Sequence, residues 1–238
     1  MKTLRYVQLV LVVVTLAACA DGAPAPVGRA SSAPAVDARA RLAASTAGLS
    51  AGNYRFKAVM PSMTIDGTVH LPSGSWAERS VADGGRKVID TVVIGKDQYA
   101  RTTPGRPWEH SDQSRVPENA SVLHTNPDHT GATGLLATVQ TAKADGSTIS
   151  GMLDGSSMAV PGRALNAVSE RMREPLAFTA TLDDSGRLVR LVVSLPERPV
   201  PPLPAGTWTL DVADYGAAAA QKAPASFTEL PGDLYQTP

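Results

Sequence analysis

The stretch Asn53-Tyr54-Arg55-Phe56-Lys57-Ala58-Val59-Met60, followed closely by Ile65-Asp66-Gly67-Thr68-Val69-His70-Leu71, decides how this chain folds. In the first segment Tyr54, Phe56, Ala58 and Met60 alternate with Arg55 and Lys57. In the second, Ile65, Gly67, Val69 and Leu71 alternate with Asp66, Thr68 and His70. A period of two sends successive side chains to opposite faces of a strand, so each segment predicts a strand with one buried and one wet face. One-sided burial of this kind is typical of antiparallel sheets.

Toward the C-terminus, Trp76 to Val81 predicts a third strand, and the turn Asp83-Gly84-Gly85 leads into a fourth over Lys87 to Ile94. Val88, Ile89, Val92, Val93 and Ile94 make the fourth strand apolar on both faces, which predicts a central position covered from both sides. Gly95-Lys96-Asp97 turns into Gln98-Tyr99-Ala100-Arg101, with Trp108 beyond a Pro/Gly connection, as successive hairpins of a meander. Ser147 to Leu153 predicts a further strand. Alternation resumes at Leu176, Phe178, Ala180 and Leu182, turns at Asp183-Asp184-Ser185-Gly186, and continues through Val189, Leu191, Val193 and Leu195. After the Pro-rich segment Pro196 to Pro204, Thr207 to Val212 alternates once more.

Between the two sets of strands the period changes. Leu135, Leu136, Val139 and Ala142 fall at helical spacing, and Leu165, Val168 and Met172 mark a second helix ended by Pro175. A short helix after Asp37, through Arg41 to Ala44 with Gly48 as its stop, precedes the first strand. Strands, helices and strands again describe an α+β fold, one large antiparallel sheet with two or three helices laid on one face. Residues 39–216 are expected to form one domain, followed by a small-residue, Pro-punctuated tail over 217–238.

Toward the N-terminus, Lys2 and Arg5 precede a mostly apolar run from Tyr6 to Ala18. At about 13 residues the run is shorter than the roughly 20 that a helix needs to cross a bilayer, so residues 1–18 are expected to be a signal peptide. It ends in Leu16-Ala17-Ala18-Cys19, which resembles the bacterial lipobox. That resemblance implies diacylglyceryl transfer to the Cys19 sulfur and cleavage between Ala18 and Cys19. Two acyl chains give stable membrane anchoring where one gives only marginal binding. Cys19 is the only cysteine of the 238 residues, so its acylation leaves no thiol for a disulfide or a thiolate metal site. Residues 19–38, rich in Ala, Pro, Gly and Ser, are expected to be a flexible tether with a root-mean-square span of about 25 Å. Location at the extracytoplasmic face of a cell membrane follows from these expectations.

Several pieces of the chain taken in order, Asn53-Tyr54-Arg55-Phe56 with Asp66-Gly67-Thr68-Val69, Val93 to Arg101 with Trp108, Leu182 to Leu188, and Asp214-Tyr215-Gly216, are similar to one family. Together with the lipobox and tether they resemble the actinobacterial LppX/LprAFG-like lipoproteins, within the LolA/LolB-like group of half-barrel lipid carriers. The resemblance implies a sheet curved into a half-barrel, helices packed on its concave face, and a lipid or glycolipid held between them. Phe56, Val69, Leu135, Val139, Leu165, Val168 and Met172 are the candidates for lining that cavity. The segment His110 to Thr130 and the connection Pro196 to Pro204 depart from the family pattern.

Acids and bases number 22 each, with no basic stripe, which argues against nucleic acid as a partner. His124, Asp128 and His129 share one Pro-containing polar segment, whose composition accounts for them without a metal. His70 and His110 read as ordinary surface residues. No GxSxG elbow, HExxH motif or phosphate loop is present. Asp183-Asp184 fits a turn and Asp66 a strand's wet face, so neither reads as half of a catalytic carboxylate pair. Tyr54, Tyr99, Trp76, Trp108 and Trp208 suggest sugar stacking, but aromatics on strands more often serve the core. The expectation is a monomeric lipid carrier with no catalytic residue, metal or cofactor. The alternative is a structural lipoprotein with a filled core that binds a protein or an envelope polymer.

Overall fold

The computed structural model describes residues 35–102, 105–115, 129–155, 174–199, 202–203 and 205–232. The two opening stretches form β1 (Asn53–Met60) and β2 (Met63–His70), paired antiparallel with Tyr54 opposite Val69, Phe56 opposite Gly67 and Ala58 opposite Ile65. The meander continues through β3 (Ser75–Ala82), β4 (Lys87–Ile94), β5 (Asp97–Arg101) and β6 (Trp108–Asp112). A second meander comprises β7 (Val139–Asp145), β8 (Thr148–Leu153), β9 (Leu176–Leu182) and β10 (Leu188–Leu195). A small two-stranded ribbon, β11 (Arg198–Pro199) and β12 (Pro202–Leu203), follows, and then β13 (Gly206–Ala213).

Strand β13 lies between β1 and β10 and so joins the two meanders. With β14 (Phe227–Glu229) the result is a single curved, unclosed twelve-stranded sheet in the order β14-β6-β5-β4-β3-β2-β1-β13-β10-β9-β8-β7. All neighbours are antiparallel except β14, which runs parallel to β6. The alternation seen in β1 persists in its burial, with Tyr54, Phe56, Ala58 and Met60 buried and Arg55, Lys57 and Val59 exposed.

The register carries that buried row across the sheet, through Ile65 and Val69 on β2, Leu210 and Val212 on β13, Leu191 and Val193 on β10, Phe178 and Ala180 on β9, and Ile149 and Leu153 on β8. Three helices contribute to the same cluster: Ala38 and Leu42 from α1 (Ala35–Ser45), Leu49 from α2 (Ala47–Ala51), and Ala132, Leu135 and Leu136 from α3 (Ala132–Leu136). Helix α1 also guards the open edge at β7, where Arg39 donates to the Gln140 carbonyl and Arg41 to the Gly146 carbonyl at 2.7 Å. Covering an edge in this way removes a template for unwanted strand pairing.

Three expectations need correction. Val139 and Ala142 do not continue a helix from Leu135; they lie on β7. A register shift between Val139 and Thr141 places Val139 and Ala142 on the same face three residues apart, which imitates helical spacing. Gly48 does not stop a helix but sits inside α2, where the Tyr215 ring leaves little room for a side chain. Strand β4 is not covered on both faces, since Ile89 is 45% exposed. The small-residue, Pro-punctuated tail also carries a strand, since β14 extends the sheet beside β6 and Leu230 donates its amide to the His110 carbonyl at 2.8 Å.

Candidate functional site

The packed face changes character along the sheet. From β1 across β13, β10, β9 and β8 it is almost wholly aliphatic and aromatic. The same face of β3 to β6, followed through the register, is mixed, with Glu78, Ser80, Thr91, Gln98, Ser111 and Glu109 set among Trp76, Ile89, Val93 and Ala100. Burial raises the Glu78 carboxyl above the ordinary carboxylate range, because loss of solvent disfavours its charged form. Two indole N–H groups on the packed face, those of Trp208 and Trp76, are buried without a hydrogen-bond partner among the described residues. The Trp76 ring lies 4.7 Å from that of His129.

Of the residues expected to line a cavity, the structure brings Phe56, Val69 and Leu135 into one buried cluster, with Val139 packed against it. Leu165, Val168 and Met172 lie outside the described residues, as do Ala18, Cys19, His124 and Asp128. Asp183 serves its turn as expected: its carboxylate accepts from the amides of Ser185 and Arg187, both at 2.9 Å, and pairs with the Arg187 side chain at 2.7 Å. The Asp183 pKa is lowered, first by the Arg187 side-chain hydrogen bond and then by the Arg187 amide.

The opposite face holds an arrangement that sequence reading missed. Arg190 (β10), Asp211 (β13), Lys57 (β1), Asp66 (β2), Arg79 (β3), Asp90 (β4) and Arg101 (β5) are register partners in succession and alternate in sign throughout. Ion pairs close between Arg190 and Asp211 at 2.6 Å, Lys57 and Asp66 at 3.8 Å, Arg79 and Asp90 at 3.3 Å, and Arg101 and Asp90 at 2.7 Å. Asp90 is only 7% exposed, held between two guanidinium groups. At the β5 end the Arg101 guanidinium lies 4.5 Å from the Trp108 ring centroid. A groove of about 630 Å³ follows this ladder, with Lys57, Asp66, Arg79, Asp90 and Arg101 on one side and Arg55, Thr68, Ala77 and Val92 on the other.

His110 is not an ordinary surface residue. Its Nδ1 lies 2.7 Å from Glu229 on β14 and its Nε2 lies 2.9 Å from Asp97 on β5. Phe227 packs against both His110 and Tyr99, with ring centroids 5.3 and 5.1 Å away. Burial is the largest influence on the imidazole and disfavours its charged form. The hydrogen bonds and charges of Glu229 and Asp97 together outweigh it, so the pKa stands above the usual 6.5. The Tyr99 phenol is raised by burial first and then by the charges of Asp97 and Glu229.

These features define an α+β protein on an open, mostly antiparallel sheet, with a hydrophobic cluster on one face and a row of paired charges on the other. Among the described residues no helix is long and apolar enough to cross a membrane, and no cluster of three or more His, Cys, Asp or Glu residues is placed to hold a metal ion. The chain belongs to the LppX_LprAFG lipoprotein family, whose profile matches residues 58–218, more than half of its length. None of the curated proteins matches it.

Proposed function

We propose that this protein is a membrane-anchored carrier that takes the acyl chains of a lipid or glycolipid against the apolar part of its packed face, with no covalent catalysis. The observation that carries this reading is membership of a lipoprotein family. The division of the packed face agrees with it. Aliphatic residues from β1 to β8 suit acyl chains, while Glu78, Ser80 and Thr91 suit the polar end of an amphiphile. Each buried methylene contributes about 0.8 kcal/mol, so a long chain needs no other driving force. In this reading the curved sheet is a half-barrel, the helices close its concave face, and Phe56, Val69, Leu135, Val139, Leu165, Val168 and Met172 border the guest.

The same proposal assigns residues 1–18 to a signal peptide removed between Ala18 and Cys19. Diacylglyceryl-Cys19 then anchors a monomeric domain, spanning 39–216, through a tether that ends near Ala38. Mass spectrometry of organic extracts from protein purified out of its native membrane tests the carrier role. A stoichiometric lipid is expected, and its absence, together with failure of fatty acids to displace an apolar dye, overturns the reading. Cys19→Ala tests the anchor: the variant should leave the membrane fraction while keeping its melting temperature, and retention through a high-salt wash would refute the assignment.

A further inference from the structure

We propose that the groove along the charge ladder is a second binding site, independent of any lipid, which takes a neutral, extended glycan. The argument begins with position. The ladder lies on the face opposite the hydrophobic cluster, because Lys57 and Asp66 point away from the side to which Phe56 and Ile65 point. The rung formed by Phe56, Gly67, Glu78 and Thr91 also borders the groove, which therefore meets those residues at their backbone and has a floor of main chain. Its 630 Å³ falls within the range typical of small-ligand sites.

Charge selects the class of ligand. The cations beside the groove are Arg55, Lys57, Arg79 and Arg101, and each already faces a carboxylate: Asp214 at 3.5 Å, Asp66 at 3.8 Å, and Asp90 at 3.3 and 2.7 Å. An anion would have to displace these partners and finds no surplus positive field to draw it in. A hydroxyl-rich neutral chain has no such conflict. Each hydroxyl both donates and accepts, while carboxylate and guanidinium set side by side offer acceptors and donors together. Asp90 is fixed by two guanidiniums at 7% exposure, so part of the site is ordered before any ligand arrives.

Shape supplies the rest. Successive rungs repeat at the strand spacing of about 4.8 Å, so donors and acceptors recur at regular intervals along a line that crosses the strands. A polymer of sugar rings presents its own groups with a comparable advance per ring. At the β5 end the half-buried Trp108 lines the groove with the Arg101 guanidinium over its ring, so a sugar ring docking there meets an aromatic group and a hydrogen-bond donor together. A smaller hollow of about 170 Å³, lined by Arg101, Thr102, Arg106, Pro107 and Glu109, shares Arg101 with the groove. An apolar peptide fits poorly, since Lys57, Asp66 and Arg79 are about half exposed and hydrated.

Isothermal titration of the purified full chain with mannohexaose, maltohexaose and cellohexaose, and with inositol hexakisphosphate as anionic probe, tests the assignment. Saturable binding of at least one neutral hexasaccharide is expected, with little dependence on salt. Trp108→Ala should weaken it about tenfold and Trp108→Phe should restore most of it, as stacking on an aromatic plane requires. Should Trp108→Ala fail to fold, the double variant Lys57→Gln with Asp66→Asn, at two exposed positions, must weaken binding instead. No binding of any hexasaccharide, binding only of the polyanion, or hexasaccharide binding indifferent to these substitutions would each overturn the proposal.

Discussion

Along β1 adjacent residues live in different media. Phe56 is 6% exposed within the hydrophobic cluster, whereas the side chain of its neighbour Lys57 is 55% exposed in an ion pair with Asp66. The two faces of the same strands therefore rest on different physics. On the packed face stability comes from area removed from water and from close contact, and a truncation leaves a void. On the ladder face it comes mostly from exposed charge pairs that water already solvates, so truncating one of these loses little. The sharpest way to break this comparison is in the packed face. Trp208→Ala, at 1% exposure, should cost about 3–5 kcal/mol, or roughly 10 °C or more in melting temperature. A loss below about 1 kcal/mol in denaturant titration would mean that the cluster is not closely packed.

The glycines of the packed face sharpen the same contrast from the opposite direction, by overfilling. A Cβ on Gly67 would stand 2.1 Å from Phe56 Cε1, and one on Gly151 would stand 1.9 Å from the Thr141 carbonyl oxygen. The clash at Gly67 is with side-chain atoms, which give more readily than the Thr141 backbone in the irregular pairing at the start of β7. Gly151→Ala should therefore destabilise more than Gly67→Ala, with both falling in the range of about 1–3 kcal/mol for overpacking. Equal melting temperatures for the two variants would show that β7 yields as easily as a side chain.

Most of the sheet could be read from alternation, because burial on one face forces a period of two wherever a strand lies. Strands β1 to β5, β8 to β10 and β13 lie close to where the pattern puts them. What escaped has physical causes. The irregularity at Val139 shifted the alternation by one residue and made a strand look helical. Strand β14 has no core to point toward, as Phe227, Thr228 and Glu229 are all exposed, so it carries no hydrophobic period. The burial of Phe56, Val69 and Leu135 was legible because each is a large apolar residue in phase with its neighbours. The ladder went unseen although part of its signal was present: Lys57 and Asp66 are equidistant from the turn between β1 and β2, and Asp66 and Arg79 from the turn between β2 and β3. Register across a whole sheet emerges only when every turn is placed together.

Within the ladder a second, smaller contrast separates buried from exposed rungs. The Asp90 side chain is 10% exposed and serves two guanidiniums, while Lys57 and Asp66 are both more than half exposed at 3.8 Å. Asp90→Ala strips Arg79 and Arg101 of their common partner and should cost about 1–2 kcal/mol. Asp66→Ala should change stability by no more than about 0.5 kcal/mol, an effect that salt diminishes further. A double-mutant cycle between Arg101 and Asp90, set beside one between Lys57 and Asp66, measures the difference. Equal coupling energies would mean that burial of Asp90 does not strengthen its pairs.

The smallest effect should be local, at the sheet edge where β14 is held. Its attachment rests on His110 between Glu229 and Asp97, with Phe227 against Tyr99, and the neighbouring Asp112 is occupied with Ser114. The pKa of His110 in the folded protein is raised above 6.5, so the protonated ring favours the attached state. That contribution is complete at pH values below 6.5 and is lost as pH rises through the raised pKa, since a neutral ring can donate to only one carboxylate. Amide exchange at Leu230, which donates to the His110 carbonyl, should therefore speed up between mildly acidic and mildly alkaline pH by more than its intrinsic rate, while exchange in β1 keeps pace with that rate. His110→Gln should remove the excess. The opposite sign, tighter attachment at alkaline pH, would mean that the ring is neutral when β14 is docked and that the aromatic packing of Phe227 holds the strand unaided.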